Sequence, residues 1–231
     1  MESQKVTKSA QQVHGRWYRD ACGMAFAMEL VGERWTLPIV RELMLGPLRF
    51  SDLKASLPGL SAKVLTERLS GMELSGVLTR RRLPPPTPVQ LFELTEWGLA
   101  LEPSIQELGR WAAMSPAHNP QLPMTPVAFM LSLRTMLDPV AARSLDVRAD
   151  FSIGGEDFVA DLADGAMPVR RATTICDGAI GFAADTPLPL LRVFYGKQPL
   201  AEAEAAGVQI SGDRDLACRF AALFGLPPKM G

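Results

Sequence analysis

The chain has 231 residues, 47% of them hydrophobic and 21% charged, with a formal net charge of −1. This composition suits a folded, water-soluble protein of one large or two ordinary domains; no apolar run nears the ~18 residues of a membrane span, and the polar start "MESQKVTKSAQQVHGRWYRD" lacks a secretory core. The cysteines Cys22, Cys176 and Cys218 are too scattered for a disulfide framework or a zinc site, so a cytoplasmic protein with reduced thiols, no metal and no cofactor is expected.

Charge is distributed unevenly. Residues 49–82 hold seven Lys and Arg against three Asp and Glu, a local basic stretch such as a nucleic-acid footprint requires. An ordinary solvated surface accounts for the same count, so the elements themselves must decide.

In chain order, "CGMAFAMELVG" (22–32) predicts a short apolar helix stopped by Gly32. "ERWTLPIVRELMLG" (33–46) places Trp35, Ile39, Val40 and Leu43 on one helical face, with Pro38 tolerated in the first turn. "RFSDLKASLPG" (49–59) predicts a third helix. "LSAKVLTERLSGMELSG" (60–76) predicts a fourth, with Ser61 as N-cap, Leu65, Leu69 and Met72 inward, and Gly76 after the end. Two β-runs follow, 77–83 and 89–95, around a tip too proline-rich for a tight primed turn. "TEWGLALEPSIQELGRWAAM" (95–114) predicts one helix capped by Thr95. Two helices joined by "LPGLS" and followed by a hairpin make a helix-turn-helix with a wing.

These residues are similar to the HxlR-type family of bacterial winged-helix transcriptional regulators. The shared features are Cys22, Gly32, Arg34-Trp35-Thr36, Leu43 and Gly46, then Arg49-Phe50, Leu53, Leu57-Pro58-Gly59, Ser61, Leu65-Thr66 and Leu69, and after the wing Leu94-Thr95-Glu96 and Gly98. Arg34 stands where the family often has Lys, and Phe92 where Tyr is common. The resemblance covers 20–113 and implies a dimer on inverted-repeat DNA. It implies packing of 16–31 and 98–113 between protomers, with Trp17, Tyr18, Phe26 and Trp111 at the interface. It also places a cysteine at Cys22, which some relatives use to sense oxidants or electrophiles; a buried structural thiol is the plain alternative.

On the 61–75 helix, Lys63, Thr66, Glu67 and Ser70 face outward. Lysine can reach guanine acceptors, and threonine can meet thymine or phosphate. Ser61 sits where free backbone N–H groups favour a phosphate. Arg68 lies at the flank, within reach of a phosphate or of a surface salt bridge, and Arg49 is counted with the DNA contacts. In "LTRRRLPPPTPVQLFELTEWG" (78–98), Arg80, Arg81 and Arg82 end a strand, so two share one side and the third faces away. A wing lies along the duplex, where arginine meets phosphates or the minor groove. The prolines stiffen the tip and discourage edge pairing.

Residues 1–19 read as an N-terminal arm, 114–126 as a proline-rich linker and 127–231 as a separate α+β domain. A helix over the first of these residues is interrupted at Pro139. Alternating runs follow, with hairpin signals at Gly154-Gly155 and Asp164-Gly165, then two helices, the short strand "VQISGD" and a closing helix. A small antiparallel sheet is expected. The order and the ending "VQISGDRDLACRFAALF" resemble a sterol carrier protein-like domain, which implies an apolar pocket. Phe129, Met136, Phe151, Phe158, Phe182, Leu190, Phe194 and Phe220 are candidates to line it, or are plain core.

No glycine-rich phosphate loop, nucleophile elbow or metal-binding helix occurs, and the two histidines, His14 and His118, sit in polar segments. The expected fold class is therefore α+β, a winged helix-turn-helix followed by a smaller-sheet α+β domain. The expected function is DNA-binding regulation, as a repressor responding to a small apolar effector, with no enzymatic activity and no membrane partner. The alternatives are a thiol-based redox regulator through Cys22, or a lipid or small-molecule carrier with a degenerate DNA module.

Overall fold

A computed structural model describes residues 18–84, 89–173 and 178–230. Trp17, His14, Cys176 and the proline-rich tip at 85–88 lie outside the described residues. The chain divides into two units between Pro103 and Ser104.

In the first unit, α1 (Gly23–Val31) follows Cys22 as N-cap and α2 (Thr36–Leu43) follows Trp35. Trp35 holds a left-handed backbone, φ 79°, which is uncommon for a non-glycine residue. Next come β1 (Leu48–Arg49), α3 (Phe50–Ser56) and α4 (Ala62–Leu74). The α3–α4 turn points Leu57 and Leu60 inward, onto a core of Ile39, Leu53, Leu65 and Leu69. The wing is β2 (Leu78–Arg82) and β3 (Gln90–Leu94), in an antiparallel sheet of order β1-β3-β2. β1 has no signature in the sequence. Two residues carry no period, and the strand exists only because Leu48 pairs with Phe92 and Arg49 with Leu91.

The helix expected over 95–114 is two helices, α5 (Glu96–Leu99) and α6 (Glu102–Ala113). Pro103 has no N–H to donate to the Leu99 carbonyl, so the ladder breaks there. The unit boundary falls at the same place, upstream of the expected 114–126 linker. At the start of that stretch and just before it, the Lys229 ammonium donates to the carbonyls of Ala113, Ser115 and His118.

The start of α5 is tightly fitted. The Thr95 hydroxyl accepts from Gly98 N–H at 3.0 Å and donates to the Gly76 and Val77 carbonyls at 2.8 and 3.2 Å. Gly98 lies so close to the hairpin that a Cβ there would sit 2.1 Å from the Val77 oxygen.

The second unit contains α7 (Pro126–Met136), a 3-10 turn (Ala141–Ser144), β4 (Val147–Ile153), β5 (Glu156–Leu162), β6 (Val169–Ala172) and β7 (Ile180–Ala184). It continues with α8 (Pro187–Phe194), α9 (Leu200–Ala205), β8 (Gln209–Gly212) and α10 (Arg214–Ala222). Thr125 and Asp213 cap α7 and α10 through their side chains. The sheet has order β6-β5-β4-β7-β8. It is not purely antiparallel as expected: β4 and β7 run parallel, Phe151 opposite Phe182. A parallel neighbour needs a crossover, here through β5 and β6, and local hairpin signals cannot report it.

Of the residues named as pocket lining or plain core, Phe129, Phe151, Phe182, Phe194 and Phe220 pack on one another. Phe151 and Phe182 stack at 5.4 Å between ring centroids, and Phe194 meets Phe129, Phe151, Phe182, Phe220 and Phe224 at 5.1–6.1 Å. All of these rings are at most 1% exposed. Edge and stacked contacts of this kind build a dense core between the sheet and α7, α8 and α10.

Replacing Gly98 by Ala forces a methyl against the Val77 carbonyl. It is expected to cost about 1–3 kcal/mol, read as a lower urea midpoint at unchanged m-value; Gly109→Ala, with open space around its Cα, should not destabilise.

Candidate nucleic-acid interface

Helix α4 is set by its ends and its inner stripe. The Ser61 hydroxyl accepts from Val64 N–H at 3.2 Å, a cap that contributes about 1 kcal/mol. Leu65, Leu69 and Met72 are buried, which turns Lys63, Thr66, Glu67 and Ser70 to solvent. The Thr66 hydroxyl donates back to the Ala62 carbonyl at 2.9 Å, so its proton is engaged and its oxygen can still accept. Arg68 is tied down: its guanidinium meets Glu33 at 3.0 Å and donates to the Arg34 carbonyl at 3.2 Å. It braces α4 against the segment before α2.

The three wing arginines divide as strand alternation requires. Arg80 pairs in register with buried Phe92 and Arg82 with Gln90, so these two share the face nearer α4. Arg80 meets the Glu73 carboxylate at 2.8 Å, reaches the Ser70 hydroxyl at 3.3 Å and lies over the Phe92 ring at 5.5 Å. Arg81 faces the other way and pairs with Glu93 at 3.1 Å. Among the described residues Lys63 and Arg82 have no ion-pair partner, and both are exposed. Arg49, also exposed, precedes α3, where its backbone N–H donates to Asp52 at 3.3 Å.

Glu73 and Glu93 have no mark in the sequence that sets them apart. Each is an ordinary surface carboxylate until the hairpin closes, and only the fold brings it to an arginine. The surface that results has a capped helix with Lys63, Thr66 and Ser70 outward beside a strand edge carrying Arg82. Backbone N–H groups at the α4 start and unpaired cations are groups that meet phosphate; the outward polar side chains are of the kind that read base edges.

Of the residues assigned to a subunit interface, Tyr18 is 67% exposed, Phe26 46% and Trp111 72%. Trp97 and Leu99 on α5 and Met24 on α1 are exposed as well. Cys22 is exposed at the start of α1. Its own N–H donates to Asp20 at 3.0 Å. No side-chain cap hydrogen bond is formed, yet the Ala25 and Met24 N–H groups face the sulfur and hold the thiol below its ordinary pKa.

A helix-turn-helix whose second helix is followed directly by a two-stranded wing defines a winged-helix DNA-binding module. The profile of the HxlR-like helix-turn-helix family matches residues 30–119. The HTH-type transcriptional regulator YvaP of Bacillus subtilis (strain 168) is 44% identical over 87 residues, spanning 37% of this chain and 80% of that protein. YodB of the same organism, also an HTH-type transcriptional regulator, is 41% identical over 90 residues, 38% of this chain and 80% of its own. The solved reduced form of YodB aligns over 42% of this chain and 97% of that one, at 34% identity and a TM-score of 0.39. The chain belongs to the HxlR-like helix-turn-helix family and is a transcriptional regulator of the HTH type. No helix among the described residues is long and apolar enough to cross a membrane.

The lowered thiol pKa sets the sign of a pH test. A depressed pKa keeps Cys22 as thiolate to lower pH, so its reaction with iodoacetamide should persist where an ordinary thiol has lost its rate. Peptide mass spectrometry against pH checks this; the same cysteine in urea-unfolded chain should need more alkaline solution for half-maximal rate.

Proposed function

We propose that this chain is a dimeric regulator, acting as a repressor, that binds an inverted-repeat operator through α4 and the β2–β3 wing. The observation that carries this reading is the pairing of an outward Lys63/Thr66/Ser70 face with an unpaired Arg82 on the same side as α4. Lys63 and Thr66 supply base contacts, Ser61 and the α4 N-terminus a phosphate contact, and Arg82 and Arg49 further phosphate contacts. Arg80 and Arg68, each already paired, hold the wing and α4 in place. The exposed Tyr18, Phe26 and Trp111 suit an apolar interface between protomers.

In this reading 20–113 is the DNA-binding domain and 127–231 the sensing domain. Its aromatic core is filled by its own rings, so an effector is sought outside that core. A second reading is favoured by one observation, the exposed Cys22 with its lowered pKa. Such a thiol is poised for oxidation, and with no second cysteine near it in sequence the disulfide expected is one that joins two protomers. A Cys22→Ser variant that still releases DNA on peroxide treatment rejects that second reading.

Two substitutions test the DNA reading. Arg82→Ala should weaken binding to specific and random duplex alike, and reduce the log–log salt slope by about 0.9 for each phosphate that is no longer neutralised. Arg81→Ala, on the outer face, should leave the slope unchanged. Lys63→Ala should cost about 1–3 kcal/mol on the cognate site and little on random DNA. Equal losses of affinity on both duplexes reduce Lys63 to a phosphate-binding role, and an unchanged slope in Arg82→Ala removes the wing from the interface.

A further inference from the structure

Side chains alternate along β4, so Ala149, Phe151 and Ile153 enter the aromatic core while Arg148, Asp150 and Ser152 face the opposite side of the sheet. The register sets Asp150 beside Val159 of β5 and Gly181 of β7, and Gly181 beside Ser211 of β8. In the next row Ser152 adjoins Ala183, which adjoins Gln209. Two small β7 residues between polar neighbours leave a hollow of about 410 Å³, bordered by Asp150, Ser152, Gly178, Gly181, Gln209 and Ser211.

Asp150 is only 5% exposed. One carboxylate oxygen accepts from Gly178 N–H at 3.1 Å, and the other has no hydrogen-bond partner. The nearest arginine on its strand, Arg148, is engaged with Asp161 at 3.3 Å. A buried carboxylate oxygen left unsatisfied is unfavourable, and native structures retain few of them. The glycines are matched to the space: a Cβ on Gly178 would lie 2.7 Å from the Asp150 carboxyl carbon, and one on Gly181 would lie 2.4 Å from the Ser211 hydroxyl.

We propose that this hollow binds a small molecule bearing a protonated primary amine, whose ammonium pairs with the under-satisfied Asp150 carboxylate at the hollow's border and donates to acceptors on Ser152, Gln209 and Ser211. An ammonium has three donors and no acceptor, and these four side chains all offer acceptor oxygens. No cationic side chain borders the hollow among the described residues, so an anion would meet the Asp150 charge unopposed. A divalent metal needs several hard ligands, and no group of three His, Cys, Asp or Glu side chains gathers among the described residues. The site stands on the second unit's geometry alone; its service as the effector site rests on the sensing role proposed above.

The test is an NMR titration of the ¹⁵N-labelled full chain with n-butylammonium, ethanolammonium and putrescine, with n-butanol and butyrate as controls. Saturable shifts at the amides of Asp150, Gly178, Gly181 and Ser211 are expected with the amines only. Asp150→Asn keeps the shape and removes the charge, and should weaken binding about ten- to a hundredfold. Ser211→Ala and Gln209→Ala, both at exposed positions, should each weaken it several-fold and keep the proposal testable if Asp150→Asn misfolds. No saturation by any of the three amines, equal binding of n-butanol, or undiminished binding in well-folded variants overturns the site. Operator mobility shifts with the site saturated then separate the two readings: unchanged DNA affinity rejects the effector role and leaves the binding site standing.

Discussion

The turn at 75–77 fixes α4 to the wing, and the candidate nucleic-acid surface depends on it. Gly76 adopts φ 78°, a conformation that costs a glycine little. Its N–H returns to the Glu73 carbonyl and the Val77 N–H to Met72, at 3.1 and 2.9 Å. Thr95 binds the Gly76 and Val77 carbonyls from the far end of the hairpin, and Arg80 reaches back to Glu73 and Ser70. Helix, turn, both strands and the start of α5 are thus joined through one short segment. The arginine nearest the turn is consumed in making that joint. The positive charge available to a polyanion moves outward along the strand, to Arg82.

Much of this module can be read from the sequence, because its signals are local. Ser61 as cap, Gly76 after the helix, the inward Leu65-Leu69-Met72 stripe and the alternation of Arg80, Arg81 and Arg82 all follow from spacing. What escapes such a reading depends on contacts distant in sequence. β1 exists only through β3, and the break between α5 and α6 requires the missing Pro103 N–H to be weighed above an uninterrupted apolar stripe. In the second unit the β4–β7 pairing joins segments about thirty residues apart, so neither the parallel strand nor the row Asp150-Gly181-Ser211 has a local signature. Asp150 in sequence is one acidic residue in an alternating run; its burial is created by neighbours on β5 and β7.

The second unit uses the two faces of one sheet differently. On one, phenylalanines from strands and helices interlock, and enlarging or emptying that layer would disturb many neighbours at once. On the other, small residues leave a polar hollow at little packing cost, with Gln209 and Ser211 exposed and Asp150 buried at its border. Substitutions at Gln209 or Ser211 can therefore alter this polar face while the aromatic layer keeps the fold. The first unit divides its labour in the same way, with paired arginines as struts and unpaired cations facing solvent.

The parallel pairing of β4 with β7 also sets an order of assembly during synthesis. β4 and β5 can close as a hairpin as soon as both have emerged, but β4 keeps its other edge unpaired until residues 180–184 arrive. β8 and α10 follow later still. The winged-helix unit, built largely from neighbouring segments, can fold early on the ribosome. A nascent chain therefore passes through a stage with a finished DNA-binding module and an open, apolar half-sheet, the stage at which a chaperone has most to cover.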